Sequence, residues 1–375
     1  MSAASHKQAS RQPAKEAATD LSTLSLAVVG AGMCCAVGYH RAAASCALRA
    51  GMDHFQRSEF IDPASQPLKV ARLPVGDLWG PQRLAFIVNQ AVMDCARDAG
   101  NIYPKTTALI LLAAEQGRPH TEHDRYFEAM EACKKQFHLE FHESSGIMPK
   151  GRAGLGSALA AAHRLLREQT VKRVLLVGAD SFLNAATIGH YLDRERLKCT
   201  DNDNGFIPGE GAGALLLEIA NPKSKGLLIT GMGRAVEEAR LGGDIPNRAQ
   251  GLTHAIRGAC EQAGVAPNQL DFRMTDQNGE QYYAKEAANA YTRIMAEDGV
   301  GLPLMHIADS VGETGAAAGP LMLAYLSERM RGNDSPGDTG LLHLANDDGS
   351  RTALVLTSRF DKIQPFKTSA SLRKR

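Results

Sequence analysis

The sequence has no apolar run of the roughly 18 residues that a membrane-crossing helix needs, which excludes a helical span. It has no charge excess either: 42 Lys and Arg stand against 41 Asp and Glu, a formal net charge of +1. Bulk electrostatics therefore give no reason to expect nucleic-acid or membrane binding. The first twenty residues lack an apolar stretch and are rich in Ala, Ser, Gln and Lys. Residues 1–22 read as a disordered arm rather than a secretion leader. The seven cysteines are scattered, cannot all pair internally, and include the sequence neighbours Cys34-Cys35. Reduced thiols in a cytoplasm fit that usage. No low-complexity linker divides the chain, and residues 221–226 are its only good boundary.

What is present is a large globular chain. At 375 residues and 44% apolar content it can bury a sizeable core. Strand-like and helix-like segments alternate twice. The first cycle has a strand over 24–30 that ends in a glycine turn and helices over 41–50 and 81–99. A strand follows over 107–113, then a charged, solvated helix over 122–141 and an Ala/Leu-rich helix over 154–169. Strands follow from Val174 to Ala179, apolar on both faces as a central parallel strand is, and over 212–218. The second cycle has strands over 227–231, 272–275 and 352–357, with helices over 249–264, 280–296 and 316–331. The glycine-rich stretch 331–340 reads as a surface loop. Double alternation predicts an α/β protein with parallel-rich sheets. Residues 23–222 and 223–360 form its two halves, packed as one body, and 361–375 a basic tail.

The most informative stretch is Gly205-Phe-Ile-Pro-Gly-Glu210-Gly-Ala-Gly-Ala-Leu-Leu-Leu-Glu218, a glycine-rich turn running into an apolar strand with one acid in the turn. Three further pieces keep its company: Ala27-Val-Val-Gly-Ala-Gly-Met33, Val174-Leu-Leu-Val-Gly-Ala-Asp-Ser181 and Asp309-Ser-Val-Gly-Glu-Thr-Gly-Ala-Ala-Ala-Gly319. In order and spacing they resemble the β-ketoacyl-acyl-carrier-protein synthases of the thiolase superfamily, over roughly residues 24 to 358. The resemblance implies the thiolase fold: duplicated βαβ halves in a five-layer αβαβα sandwich. It also implies a cysteine nucleophile at the mouth of a buried helix, with two histidines. Arg152 falls where that cysteine belongs, Asp276 where the first histidine belongs and Glu313 where the second belongs. The usual lysine is missing near Ala308 and Asp309, and the glycine-rich C-terminal gate is reduced to Asn346-Asp-Asp-Gly349.

Arg has no nucleophilic form at physiological pH, and a cation sits unfavourably at a helix N-terminus. If the three positions converge, the guanidinium meets two carboxylates, and a paired buried Arg is tolerable where a lone one is not. The expectation is a charge cluster in place of a reaction centre, with no catalytic residue. The protein is then an inactive scaffold that binds another protein, in the manner of a chain-length factor or as an accessory of a bacterial type VI secretion apparatus. Its partners are a homodimer or heterodimer mate docked through the Val174 to Ala179 strand, and an acyl-carrier or secretion-apparatus protein. The rival is an enzyme with acyltransferase, hydrolase or lyase activity, using Asp276 and Glu313 as acid and base and Arg152 as anion holder. No cofactor is expected: Gly30-Ala-Gly32 lacks the third glycine of a dinucleotide site, with Cys35 in its place. No metal is expected: His138 and His142 are one turn apart, but only His120 or His123 stands near as a third ligand. Cys199 and Cys260 lack a glycine-flanked helix start, and Glu210 reads as architectural.

Overall fold

The computed structural model describes residues 24–119, 123–137, 140–295 and 301–360. The expected arm, the basic tail and, of the metal reading, His120 and His138 lie outside the described residues. In the first half β1 (Leu26–Cys35), α1 (Arg41–Arg49), the hairpin β2 (Phe55–Ile61) and β3 (Pro67–Ala71), and α2 (Gly80–Ala99) come first. They are followed by β4 (Thr107–Ala113), α3 (His123–Phe137), β5 (Gly146–Pro149), α4 (Gly154–Arg167), β6 (Arg173–Ser181), α5 (Ala185–Leu192) and β7 (Glu210–Ile219). The second half runs β8 (Gly226–Val236), α6 (Gln250–Ala263), β9 (Phe272–Thr275), α7 (Gln281–Ile294) and β10 (Leu304–Met305). It continues through α8 (Ala308–Val311), α9 (Ala318–Arg329), β11 (Thr339–Ala345) and β12 (Ser350–Arg359).

The two halves repeat one topology. The first sheet has the order β5-β4-β6-β7-β1, and the second has β10-β9-β11-β12-β8. In each, the first three strands are parallel and the last two antiparallel. The sheets join through three residue pairs, Leu26–Val28 of β1 with Leu227–Ile229 of β8. Helices α4 and α9 lie between them, α2 and α3 cover the outer face of the first, and α6 and α7 cover that of the second. This is the five-layer αβαβα sandwich.

Burial explains the composition of each layer. The middle helices touch a sheet on both sides, so α9 is buried on every residue from Ala318 to Ser327. Its apolar residues therefore show no single stripe. Helix α2 is amphipathic, opens with Pro81 and stops at Gly100, whose φ of 76° is the left-handed conformation of a helix end.

Two expectations about strands are corrected. Strand β1 does not end in a turn at Gly30 but continues to Cys35, with a bulge between Val28 and Gly30. A Cβ on Gly32 would lie 2.1 Å from the Ala91 carbonyl of α2, so the glycines let helix and strand touch. Strand β8 repeats the device: Gly231 and Gly233 follow a register shift and would meet the Ala259 and Ala255 carbonyls of α6 at 2.1 and 1.8 Å. Strand β6, which holds Val174 to Ala179, pairs with β4 on one side and β7 on the other. Its backbone groups are spent within the sheet, so it cannot dock a partner edge to edge.

Candidate functional site

Arg152 lies in the turn between β5 and α4, and Asp276 directly after β9. Glu313 lies before α9, and Asp347 in the turn between β11 and β12. Packing brings all four to the mouth of α4. Arg152 donates from Nη1 to Glu313 Oε2 at 2.7 Å, while its Nε and Nη2 stand 3.8 Å from Asp276 Oδ2 and Asp347 Oδ1. Its guanidinium lies 5.1 Å from the centre of the Tyr283 ring, a cation–π contact. Glu313 is further held by Asn278 Nδ2 at 2.6 Å and the Gly315 N–H at 2.7 Å. Asp276 accepts from the Ala345 N–H at 2.8 Å. Arg152, Asp276 and Glu313 are all buried.

A second guanidinium completes the cluster. Arg196 pairs with Glu280 at 2.7 Å and with Asp347 at 2.5 Å, and the Tyr283 hydroxyl donates to Asp347. Asn346 clamps the turn below, accepting from the Ala153 N–H at 2.8 Å and donating to the Lys150 carbonyl at 2.7 Å. The space left among Arg152, Glu313, Arg196, Asp347, Tyr191 and Phe206 is about 20 Å³, room for one water at most. No cysteine lines it among the described residues. Cys260 is buried with its thiol pushed up to about 11 by burial, and Cys199 is only partly covered.

The glycine-rich motif builds this site and enters it only with Phe206. The Gly209 N–H donates to the Glu313 carbonyl at 2.9 Å, and the Glu313 N–H donates to the Ile207 carbonyl at 2.8 Å. Gly312, at a φ of 68°, fits against the Ile207 carbonyl. Gly279, at a φ of 109°, fits against the Gly205 carbonyl and sets the loop that carries Asn278. Glu210 is fully buried, ion-paired with Arg83 at 2.5 Å and hydrogen-bonded by the Leu73 N–H at 3.0 Å. It ties the hairpin and α2 to β7.

Four carboxylates face two guanidinium groups in this cluster. Burial raises the carboxyl pKa values of Asp276 and Glu313 despite the opposing pull of Arg152. Burial disfavours the charged form of Arg152, but Glu313 and Asp276 outweigh it and hold the proton. Burial also raises Asp347, yet the hydrogen bonds and charge of Arg196, with Arg152 and Tyr283, bring it down to about 2. The arrangement compensates the buried charge of Arg152, and it presents no thiol among the described residues.

Sequence reading named Arg152, Asp276 and Glu313 but left Asp347, Arg196, Asn278 and Tyr283 outside the cluster. Asp347 was legible as part of the altered turn Asn346-Asp-Asp-Gly349. Nothing local marks Arg196 or Tyr283, which reach the site only through tertiary packing.

No family model matches the chain. Over 210 residues it is 30% identical to a β-ketoacyl-[acyl-carrier-protein] synthase III of Streptomyces coelicolor, covering 51% of this chain and 58% of the relative. Over 212 residues it is 27% identical to the synthase III of a Ruegeria species, covering 50% and 58%. The chain thus spans a little over half the length of these curated relatives. In three dimensions it resembles a type II PKS ketosynthase solved with its acyl-carrier protein, with a TM-score of 0.73, 15% identity and coverage of 89% of this chain and 99% of that one. It also resembles the ishigamide ketosynthase/chain length factor, with a TM-score of 0.69, 19% identity and the same coverage. The duplicated five-layer sandwich is the thiolase-like fold. The chain shares that fold with these ketosynthases, and the two relatives matched by sequence are β-ketoacyl synthases III.

Proposed function

We propose that the protein is a ketosynthase-like scaffold that has lost the condensation reaction and serves as the partner of another protein. The observation that carries this reading is the Arg152–Glu313 ion pair at 2.7 Å, which fills the mouth of α4 and leaves about 20 Å³. Acyl transfer needs an activated nucleophile, and a fully charged guanidinium is none. Asp276 and Glu313 are spent on Arg152, Asn278 and backbone N–H groups. That disfavours the acid–base enzyme: the roomier hollows beside the cluster, about 860 and 550 Å³, are lined by Asp347 but by neither Asp276 nor Glu313.

The partner is best sought among active ketosynthases and acyl-carrier proteins, since solved proteins of similar fold include ketosynthases with a chain length factor or an acyl-carrier protein. A secretion-apparatus protein is the other partner to assay. Docking through an edge strand requires unpaired backbone groups. Strand β5 (Gly146–Pro149), at the open edge of the first sheet and half-exposed, meets that requirement. Incubation with acyl- and malonyl-acyl-carrier protein, read by intact mass, is expected to leave the chain unmodified. A covalent acyl adduct would overturn the reading.

A further inference from the structure

The first sheet has a second hollow at its other end. The charge cluster gathers at the C-terminal ends of β4 and β5, whereas this hollow opens at the N-terminal ends of β4 and β6. Its volume is about 690 Å³, within the range of small-molecule sites. The 3-10 turn Pro104–Thr106 forms one wall and the entry to β6 the other, stitched together by the Lys172 N–H donating to the Thr106 carbonyl at 2.9 Å. Ile102 and Pro104 are buried where they line it, and Tyr103, 58% exposed, lines it with its ring 5.9 Å from the Arg173 guanidinium.

The charge around it is one-sided. Arg173 is committed to Glu218 at 2.6 Å and to the Asn101 carbonyl at 3.1 Å. Lys105 and Lys172 are exposed on the rim, and no carboxylate among the described residues pairs with either ammonium. Three cations thus surround one carboxylate that is already spent. An anion placed between the two lysines gains attraction from both at little desolvation cost. The apolar floor and the exposed ring favour an apolar or aromatic body attached to that anion.

We propose that this hollow binds a small amphipathic organic anion: a compact apolar or aromatic body bearing one carboxylate or phosphate. Lys105 and Lys172 hold the head, and Tyr103 covers the body. The proposal does not depend on whether the α4 cluster is catalytic.

The test is calorimetric titration of the full chain with 4-phenylbutyrate, 4-phenylbutyl phosphate, neutral 4-phenylbutan-1-ol and acetate. At least one aromatic anion is expected to bind saturably, at least about tenfold more tightly than the alcohol or acetate. The K105E/K172E variant, folded by circular dichroism, should lose at least about tenfold, and Tyr103→Ala should also weaken binding. The order of carboxylate and phosphate identifies the head. The proposal is overturned by the alcohol binding as well as the anions, by undiminished binding to the lysine variant, or by no saturable binding up to about 10 mM.

Discussion

Arg152 depends on its neighbours to remain in the interior. Its truncation in Arg152→Met leaves Glu313 and Asp276 buried beside an apolar chain. Breaking a buried pair from one side costs about 3–5 kcal/mol, and urea unfolding is expected to show a loss of that order. Arg152→Met with Glu313→Gln should recover part of it, because the amide carries no unpaired charge and its one oxygen still accepts from Asn278 or from the Gly315 N–H. The carboxyls also set a pH dependence. Asp276 and Glu313 have raised values in the folded state. Their contribution is therefore fully present below the ordinary carboxylate range and is lost as pH rises through the raised values. Asp347 runs the other way: lowered to about 2, its contribution is present above the ordinary Asp value and is lost as pH falls toward 2. Urea midpoints across pH are expected to fall on both sides of a mildly acidic maximum, and Glu313→Gln should flatten the upper side.

Among the elements, the glycine pairs in β1 and β8 decide how closely α2 and α6 approach. In Gly32→Ala the new methyl meets the Ala91 carbonyl at 2.1 Å, so the helix must shift. Overpacking of this kind costs about 1–3 kcal/mol. Gly146→Ala in β5 meets nothing within 4 Å and should stay within about 0.5 kcal/mol. Thermal or urea unfolding of the two variants side by side checks the contrast. These glycines also show where sequence reading fell short. A Gly-x-Gly after an apolar run looks the same whether it closes a turn or admits a helix, and only the packed neighbour tells them apart. Strands β2, β3, β5, β10 and β11 escaped sequence reading too: β5 and β10 are four and two residues long. Such lengths are too short for a period to register.

For the whole molecule, edge availability sets how two chains can meet. Strand β6 is internal, so extension of the large sheet falls to its end strands among the described residues, of which β5 is longer than β10. Light scattering is expected to give a dimer mass, alone or with the partner. Gly146→Lys places a charge on the edge without a clash in the monomer, and it should return the monomer. A dimer that survives this change would place the interface elsewhere.

The sequence by itself determined the α/β alternation with parallel-rich sheets, because doubly apolar strands and small-faced helices can be stable only between other layers; the five-layer arrangement came from the resemblance. It also determined that Arg, Asp and Glu stand at positions 152, 276 and 313. Only the tertiary structure decided that these side chains meet in one cluster with Asp347 and Arg196, and that the strand from Val174 to Ala179 is used up inside its own sheet. The reason is physical: periodicity is a local property that each segment carries alone. An ion pair between residues 161 positions apart exists only once two sheets have closed over the helices between them.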